Sequence, residues 1–220
     1  MAGDFQQRLR DQRDLFNQEH STRLHRAISW WRAANEQGGS ADLQFITAWI
    51  SLSCCCLTSD DGDDDFLPLM ETLVQLDEQQ QIYHLLWHTY SGPVKALIKN
   101  PFVYRPFWQA QRGQLADWRG SFERSSVEAL NCLSRRKVPE LLAITLDRLS
   151  VLRNQVMGGG ATYGSSVNRD QVVTGAELLM SLLPVIFDLM LSHPEQEWGA
   201  LAYPVISASE PNRQVPVSEE

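Results

Sequence analysis

The chain has 220 residues, 43% of them hydrophobic, and a formal net charge of -8. That length suits one domain with a sizeable core. The acidity excludes nucleic-acid affinity spread over the whole surface, because such affinity rests on Lys and Arg neutralising phosphates, so an RNA-binding role has to come from a local site.

Helical periodicity dominates and alternating strand patterns are scarce, which predicts an all-α fold. In chain order, residues 4 to 19 are polar, with Phe5, Leu9, Leu15 and Phe16 spaced for one apolar stripe. Ser21 or Thr22 is expected to cap a second helix through Leu24, Ile28, Trp31 and Ala34, stopped by Gly38 and Gly39. Ser40 or Asp42 opens a third, LQFITAWISLSCCCL, apolar nearly all round and therefore expected deep in the core. The run TSDDGDDD lacks the alternating ligands and closing glutamate of a calcium loop and reads as a solvated acidic loop. Helices are expected at 66–76 and 78–90, then a break at Ser91-Gly92-Pro93 and a short amphipathic turn at 94–99. Two X-Pro pairs bracket FVYRPFWQA, which predicts an irregular aromatic segment. Helices at 118–133 and 139–157 follow, with Pro139 in a first turn. The loop GGGATYGSS leads to a last helix at 169–192, with Asn168 as its cap and Pro184 as a kink.

Several residue groups invite a chemical role. Cys54, Cys55 and Cys56 are consecutive and the fourth cysteine is Cys132, a pattern that suits neither a disulfide framework nor a zinc ribbon. They read as small apolar residues in a reducing compartment. His84 and His88 have the spacing of a metal pair, but only Asp77 or Glu78 stands near as a third ligand, so no metal and no cofactor is expected. Arg135, Arg136 and Lys137 form the densest basic cluster and read as a solvated helix end. GGGATYGSS lacks the GK[ST] of a phosphate loop. The amino terminus has no apolar h-region, and the stretch from Ala176 to Leu191, interrupted by Glu177, Pro184 and Asp188, is shorter than the ~20 residues of a membrane span. The expected location is the cytoplasm, with no membrane partner.

The most informative segment is DRLSVLRNQVMGGGATYGSSVNRDQV. Here the chain resembles the HEPN superfamily of RNA-cutting proteins, whose signature is an arginine, a polar residue, about three variable residues and a histidine, at the end of a helix before a loop. Arg153 matches the arginine and Asn154 the polar residue, while Gly158 stands where the histidine belongs. The blocks FITAWI, YHLLWHTYSGPVKALI, YRPFW and WGALAYPV resemble one bacterial HEPN-type subfamily and extend the likeness from about residue 27 to 206.

The resemblance implies a single-domain HEPN-like helical bundle over residues 21–206, with a helical extension at 1–20 and a disordered tail at 207–220. It implies a homodimer whose two motifs share one cleft, and metal-independent endoribonuclease activity in a toxin or phage-defence setting, with an antitoxin or regulatory protein as a further partner. Arg153 would hold and stabilise the phosphate by paired hydrogen bonds, and Asn154 would orient the site. A histidine at 158 would move the proton of the ribose 2′-OH. Gly158 cannot, and loss of that function removes about 10²- to 10⁴-fold in rate. It fits either an engineered neutralisation of a toxic nuclease or a natural member that binds without cutting. Beside the glycine loop, Tyr163 and Arg169 are of types that stack on a base or hold a phosphate, and they equally fit ordinary loop and first-turn residues. Two competing views stay open: a non-catalytic RNA- or protein-binding module that regulates a partner, and nucleotide binding without hydrolysis. Arg153 also fits an ordinary arginine favoured by the dipole at a helix carboxyl end.

Overall fold

A computed structural model describes residues 2–57, 66–166 and 168–206. The acidic run at 58–65 and the tail at 207–220 lie outside the described residues. Among the described residues there are ten α-helices and no strand, and they form one helical bundle around one core.

Helix α1 (Ala2–Asp11) is followed by a short 3₁₀ turn, Arg13–Leu15, and α2 (Gln18–Glu36). The second helix therefore starts earlier than Ser21. Asn17 is its cap, accepting a hydrogen bond from the His20 amide at 2.7 Å. Leu15 leaves the apolar stripe and is 62% exposed, because the 3₁₀ turn breaks the 3.6-residue period. Phe5 packs edge-on against Trp31 of α2 and Phe187, so α1 joins the core.

Helix α2 buries Leu24, Ala27, Ile28, Trp31 and Ala34, one face at helical spacing. Against it lies α3 (Ala41–Cys56), with Phe45, Ala48, Trp49, Leu52 and Cys55 buried. The Ser51 hydroxyl satisfies itself inside that contact by donating to the Ala27 carbonyl at 2.7 Å. Helix α10 (Arg169–Ser192) packs on α3 and α2. Gly175 permits the approach: a Cβ there would lie 2.9 Å from Phe45 Cε2 and 3.0 Å from Leu149 Cδ2. Helix α10 has the expected bounds, but at 24 residues its length and composition alone are enough to cross a membrane, contrary to the shorter apolar stretch read from Ala176 to Leu191. In this fold most of that apolar surface faces the core, with Leu178, Leu179, Leu183, Ile186, Phe187 and Met190 buried.

The second half of the bundle is built from shorter pieces. Helix α4 (Leu67–Leu76) packs on α9 (Val138–Met157). Helix α5 covers only Gln81–His84 and continues as a π-helical turn, Leu85–Thr89. Asp77 caps it, accepting from the amides of Gln81 and Ile82 at 3.0 and 2.8 Å. Helix α6 spans Ser91–Ile98 and includes Ser91-Gly92-Pro93, since a proline in a first turn gives up no intrahelical bond. The same reason admits Pro106 into α7 (Arg105–Gln111), so the aromatic segment is partly helical rather than irregular. Helix α8 spans Arg119–Ser134 and ends beside the start of α9.

Candidate functional site

Helix α9 carries the Arg153–Asn154 motif and ends where the glycines begin. Its last residue is Met157, and Gly158 is the cap, donating its amide to the Asn154 carbonyl at 2.9 Å. Gly159 adopts φ +73°, a left-handed turn that suits glycine and carries the chain away from the helix axis. The helix therefore ends near residue 157, as the glycine run leads one to expect.

The three motif residues take different environments. Arg153 is half-buried with its guanidinium 5.0 Å from the centre of the Trp49 ring, a cation–π contact to α3. Asn154 and Gly158 are exposed. Five residues of helix rotate by about 500°, so Arg153 and position 158 lie on different sides of α9. Gly158 has an ordinary φ of -82°, but a Cβ built on it would lie 2.7 Å from the Asn154 carbonyl oxygen. Any side chain at 158, histidine included, requires the helix end to shift by several tenths of an ångström.

The loop after α9 is tied down by polar contacts. Arg169, at the start of α10, donates through Nη1 and Nη2 to the two carboxylate oxygens of Asp42 at 2.8 and 3.0 Å, and through Nε to the Ser165 carbonyl at 2.9 Å. Asp42 is nearly buried, and this bidentate bond holds its carboxyl below the usual aspartate range. The carboxylate in turn raises Arg169. A cavity of about 10 Å³ between α3, α9 and the loop, lined by Asp42, Gln155 and Thr162 among others, has room for roughly one water. Tyr163 is 73% exposed, and its hydroxyl donates to Ser40 Oγ at 3.0 Å. Its ring is accessible for stacking, whereas Arg169 already spends its three nitrogens on the protein. Asn168 does not cap α10 through its side chain. It sits at φ +56° and donates to Gln155 Oε1 at 3.0 Å, a bond back to α9 that competes with capping.

Two buried arginines carry roles that the sequence did not reveal. Arg23 of α2 is fully buried and donates to the Cys55 carbonyl at 3.1 Å and to the Gly199 and Ala200 carbonyls at 2.8 and 2.9 Å. It neutralises the negative end of α3 and binds the WGALAYPV strap to the bundle. Desolvation lowers its pKa. Arg148 of α9 is 1% exposed and lies 4.3 Å from the Tyr104 ring centre and 5.6 Å from that of Phe122, with Nη2 donating to Ser125 Oγ at 2.9 Å. Its Nε and Nη1 have no hydrogen-bond partner among the described residues. Only the apolar residues at helical spacing from it, Leu141, Ile144, Val151 and Leu152, could have hinted that Arg148 faces inward.

The remaining candidates resolve into structure. His84 and His88 stack on each other at 5.1 Å, and Asp77 spends its carboxylate on capping α5. Among the described residues no group of three or more metal-ligating side chains occurs. Arg136 sits over the Tyr83 ring at 5.5 Å, and Lys137 pairs with Glu140 at 3.0 Å. All four cysteines are free thiols, with Cys55 fully desolvated and its pKa pushed well up, which leaves it inert as a nucleophile.

No protein-family model matches the chain, and comparisons with curated proteins and with solved structures returned no match.

Proposed function

We propose that this chain is a HEPN-type helical protein that engages RNA as a homodimer and, with glycine at position 158, cleaves it poorly. The observation that carries this reading is the end of α9. The helix stops at Met157, with Asn154 and residue 158 exposed at its end and the Arg153 guanidinium, one residue before Asn154, half-buried against Trp49. In the parent chemistry a histidine takes the proton of the 2′-OH, the 2′-oxygen attacks the adjacent phosphorus, and the bond from phosphorus to the 5′-oxygen breaks, leaving a 2′,3′-cyclic phosphate and a 5′-hydroxyl that takes up a proton. A guanidinium offsets the added phosphate charge. The two-fold axis supplies convergence, because positions 153 and 158 of one helix diverge. A toxin or defence effector held by an antitoxin is the setting this chemistry suits.

The test restores the missing group. Gly158→His, purified without added metal, is expected to cut total RNA and to arrest growth, and Arg153→Ala on top is expected to abolish both. Gly158→Ala is the control for the crowded Cβ position. It is expected to fold with a small loss of thermal stability and to remain inactive. A Gly158→His protein that folds and dimerises yet neither cuts nor arrests growth refutes the nuclease reading.

One feature favours the alternative, a non-catalytic module regulating a partner protein. An open groove of about 610 Å³ runs along α8, lined by Glu123, Val127, Glu128, Asn131 and Arg135 among others. On that reading Gly158→His stays inert while Val127→Asp, at an exposed position, removes partner binding.

A further inference from the structure

Residues 95–124 are an exception within an acidic chain: they hold six cations, Lys95, Lys99, Arg105, Arg112, Arg119 and Arg124, against two anions, Asp117 and Glu123. The same stretch holds six aromatic residues. The structure strings five of the rings together. Phe102, Phe107, Trp118, Phe122 and Tyr104 follow one another with ring centres 5.3, 5.0, 5.7 and 5.3 Å apart. Phe102 is 46% exposed, and none of the others is fully buried. All six cations are exposed, and Arg119 lies over the Trp118 ring at 5.2 Å.

This surface is held rigid from below. Arg148 supports Tyr104 and Phe122 by cation–π contact. The Phe102 carbonyl accepts from Trp108 Nε1 at 2.7 Å and also from Gln155 Nε2 of α9. The second bond fastens the aromatic segment to the last turn of α9, beside exposed Asn154 and Met157. Aromatic faces interleaved with arginines, concentrated where an acidic protein is locally basic, complement a flexible polyanion whose bases can stack.

We propose that the aromatic and basic face of residues 102–124 binds single-stranded RNA and delivers it to the end of α9. This rests on the RNA reading above and adds a second, separate surface to it. Partly exposed rings supply sequence-tolerant stacking, worth about 5- to 160-fold in affinity per base. Arg112 and Arg119 take phosphates, whereas Arg105 is paired with Asp147 at 3.8 Å.

The experiment is fluorescence anisotropy of a labelled 12-nucleotide single-stranded RNA of mixed sequence, titrated with the full chain at ~50 mM salt. The parent chain is expected to bind. The double variant Arg112→Glu/Arg119→Glu is expected to bind at least 10-fold more weakly, and its slope of log affinity against log salt is expected to be shallower by about 1.4. Phe102→Ala is expected to lose about 5-fold or more with the salt slope unchanged. Duplex RNA of the same length should bind more weakly than the single strand, because its bases cannot stack on the face. The control Arg10→Ala/Arg13→Ala, exposed cations on the opposite end of the sequence, is expected to bind like the parent. If the parent binds but the face variants match it, or the control loses as much as they do, the face is wrong and the RNA reading stands. If the parent binds no RNA, both fall. If the face variants change the mass by light scattering rather than RNA affinity, the surface is a contact between protein copies and the proposal is overturned.

Discussion

Arg23→Met tests how much of the fold depends on one buried guanidinium. Methionine keeps most of the volume, so the perturbation removes charge and donors rather than packing. Three carbonyls lose their short bonds, those of Cys55, Gly199 and Ala200. They are not equivalent. Gly199 and Ala200 are exposed residues, so water can replace the lost donor at a cost of a few tenths to about 1 kcal/mol each. The Cys55 carbonyl lies inside the core at the negative end of α3 and has no such substitute, costing about 1–3 kcal/mol. The helix-end charge interaction adds up to about 1–2 kcal/mol in a partly buried setting. Relief of the guanidinium's own desolvation, the cause of its lowered pKa, offsets part of this. The balance is about 2–4 kcal/mol, or about 4–16 °C in Tm for a chain of this size. Differential scanning fluorimetry reads the Tm, and limited proteolysis should cut the strap near Trp198–Tyr203 much faster than in the parent. An Arg23→Met protein with unchanged Tm and an unchanged strap would refute the reasoning.

Other outcomes follow from packing and titration. Gly175→Ala gains about 1 kcal/mol of helix propensity but places Cβ within 3.0 Å of Phe45 and Leu149. Overpacking of about 1–3 kcal/mol outweighs the gain, so Tm falls, and Phe45→Leu in the same chain should recover part of the loss. Asp42 has its folded pKa depressed, so its pairing contributes stability that is present above the unfolded value of 3.8 and is lost as pH falls through the folded value. Asp42→Asn should destabilise by about 1.5–3 kcal/mol at pH 7, flatten the acid limb of a urea-stability profile, and speed amide exchange in the 158–166 loop. His20 is buried, its Nε2 bonded to the Met190 carbonyl at 3.1 Å and its pKa lowered by desolvation. The unfolded chain therefore binds the proton first, and stability should decline as pH falls from about 6.5 toward the folded value. His20→Gln should lose that dependence, which chemical-denaturation curves between pH 7 and 5 will show.

Much of the helical framework was legible because it rests on local rules. The face Leu24–Ala27–Ile28–Trp31 needs only the 3.6-residue period, and the end of α9 needs only a glycine run after Met157. Local chemistry misled where a side chain had a competing partner, whether a few residues or many residues away. Asn17, rather than Ser21, caps α2, and Asn168 gives its side chain to Gln155 instead of to its own helix. Asp77 stood near a histidine pair in the sequence, yet its carboxylate closes α5. Arg169 had the residue type and loop position of a phosphate ligand, but Asp42, 127 residues earlier, holds it by two hydrogen bonds.

By itself the sequence determined a helical chain, the bounds of α3, α4, α8, α9 and α10, and the absence of a proton-transferring side chain at position 158, because these depend on residue type, period and capping. Only the tertiary structure decided which cations are structural and which are presented. Arg23 and Arg148 carry the same guanidinium as Arg112 and Arg119, and nothing local distinguishes them. Burial is a property of the assembled helices. It turns Arg23 into a clamp on carbonyls and Arg148 into a support for aromatic rings, while Arg112 and Arg119 stay in water with their charge available to a partner.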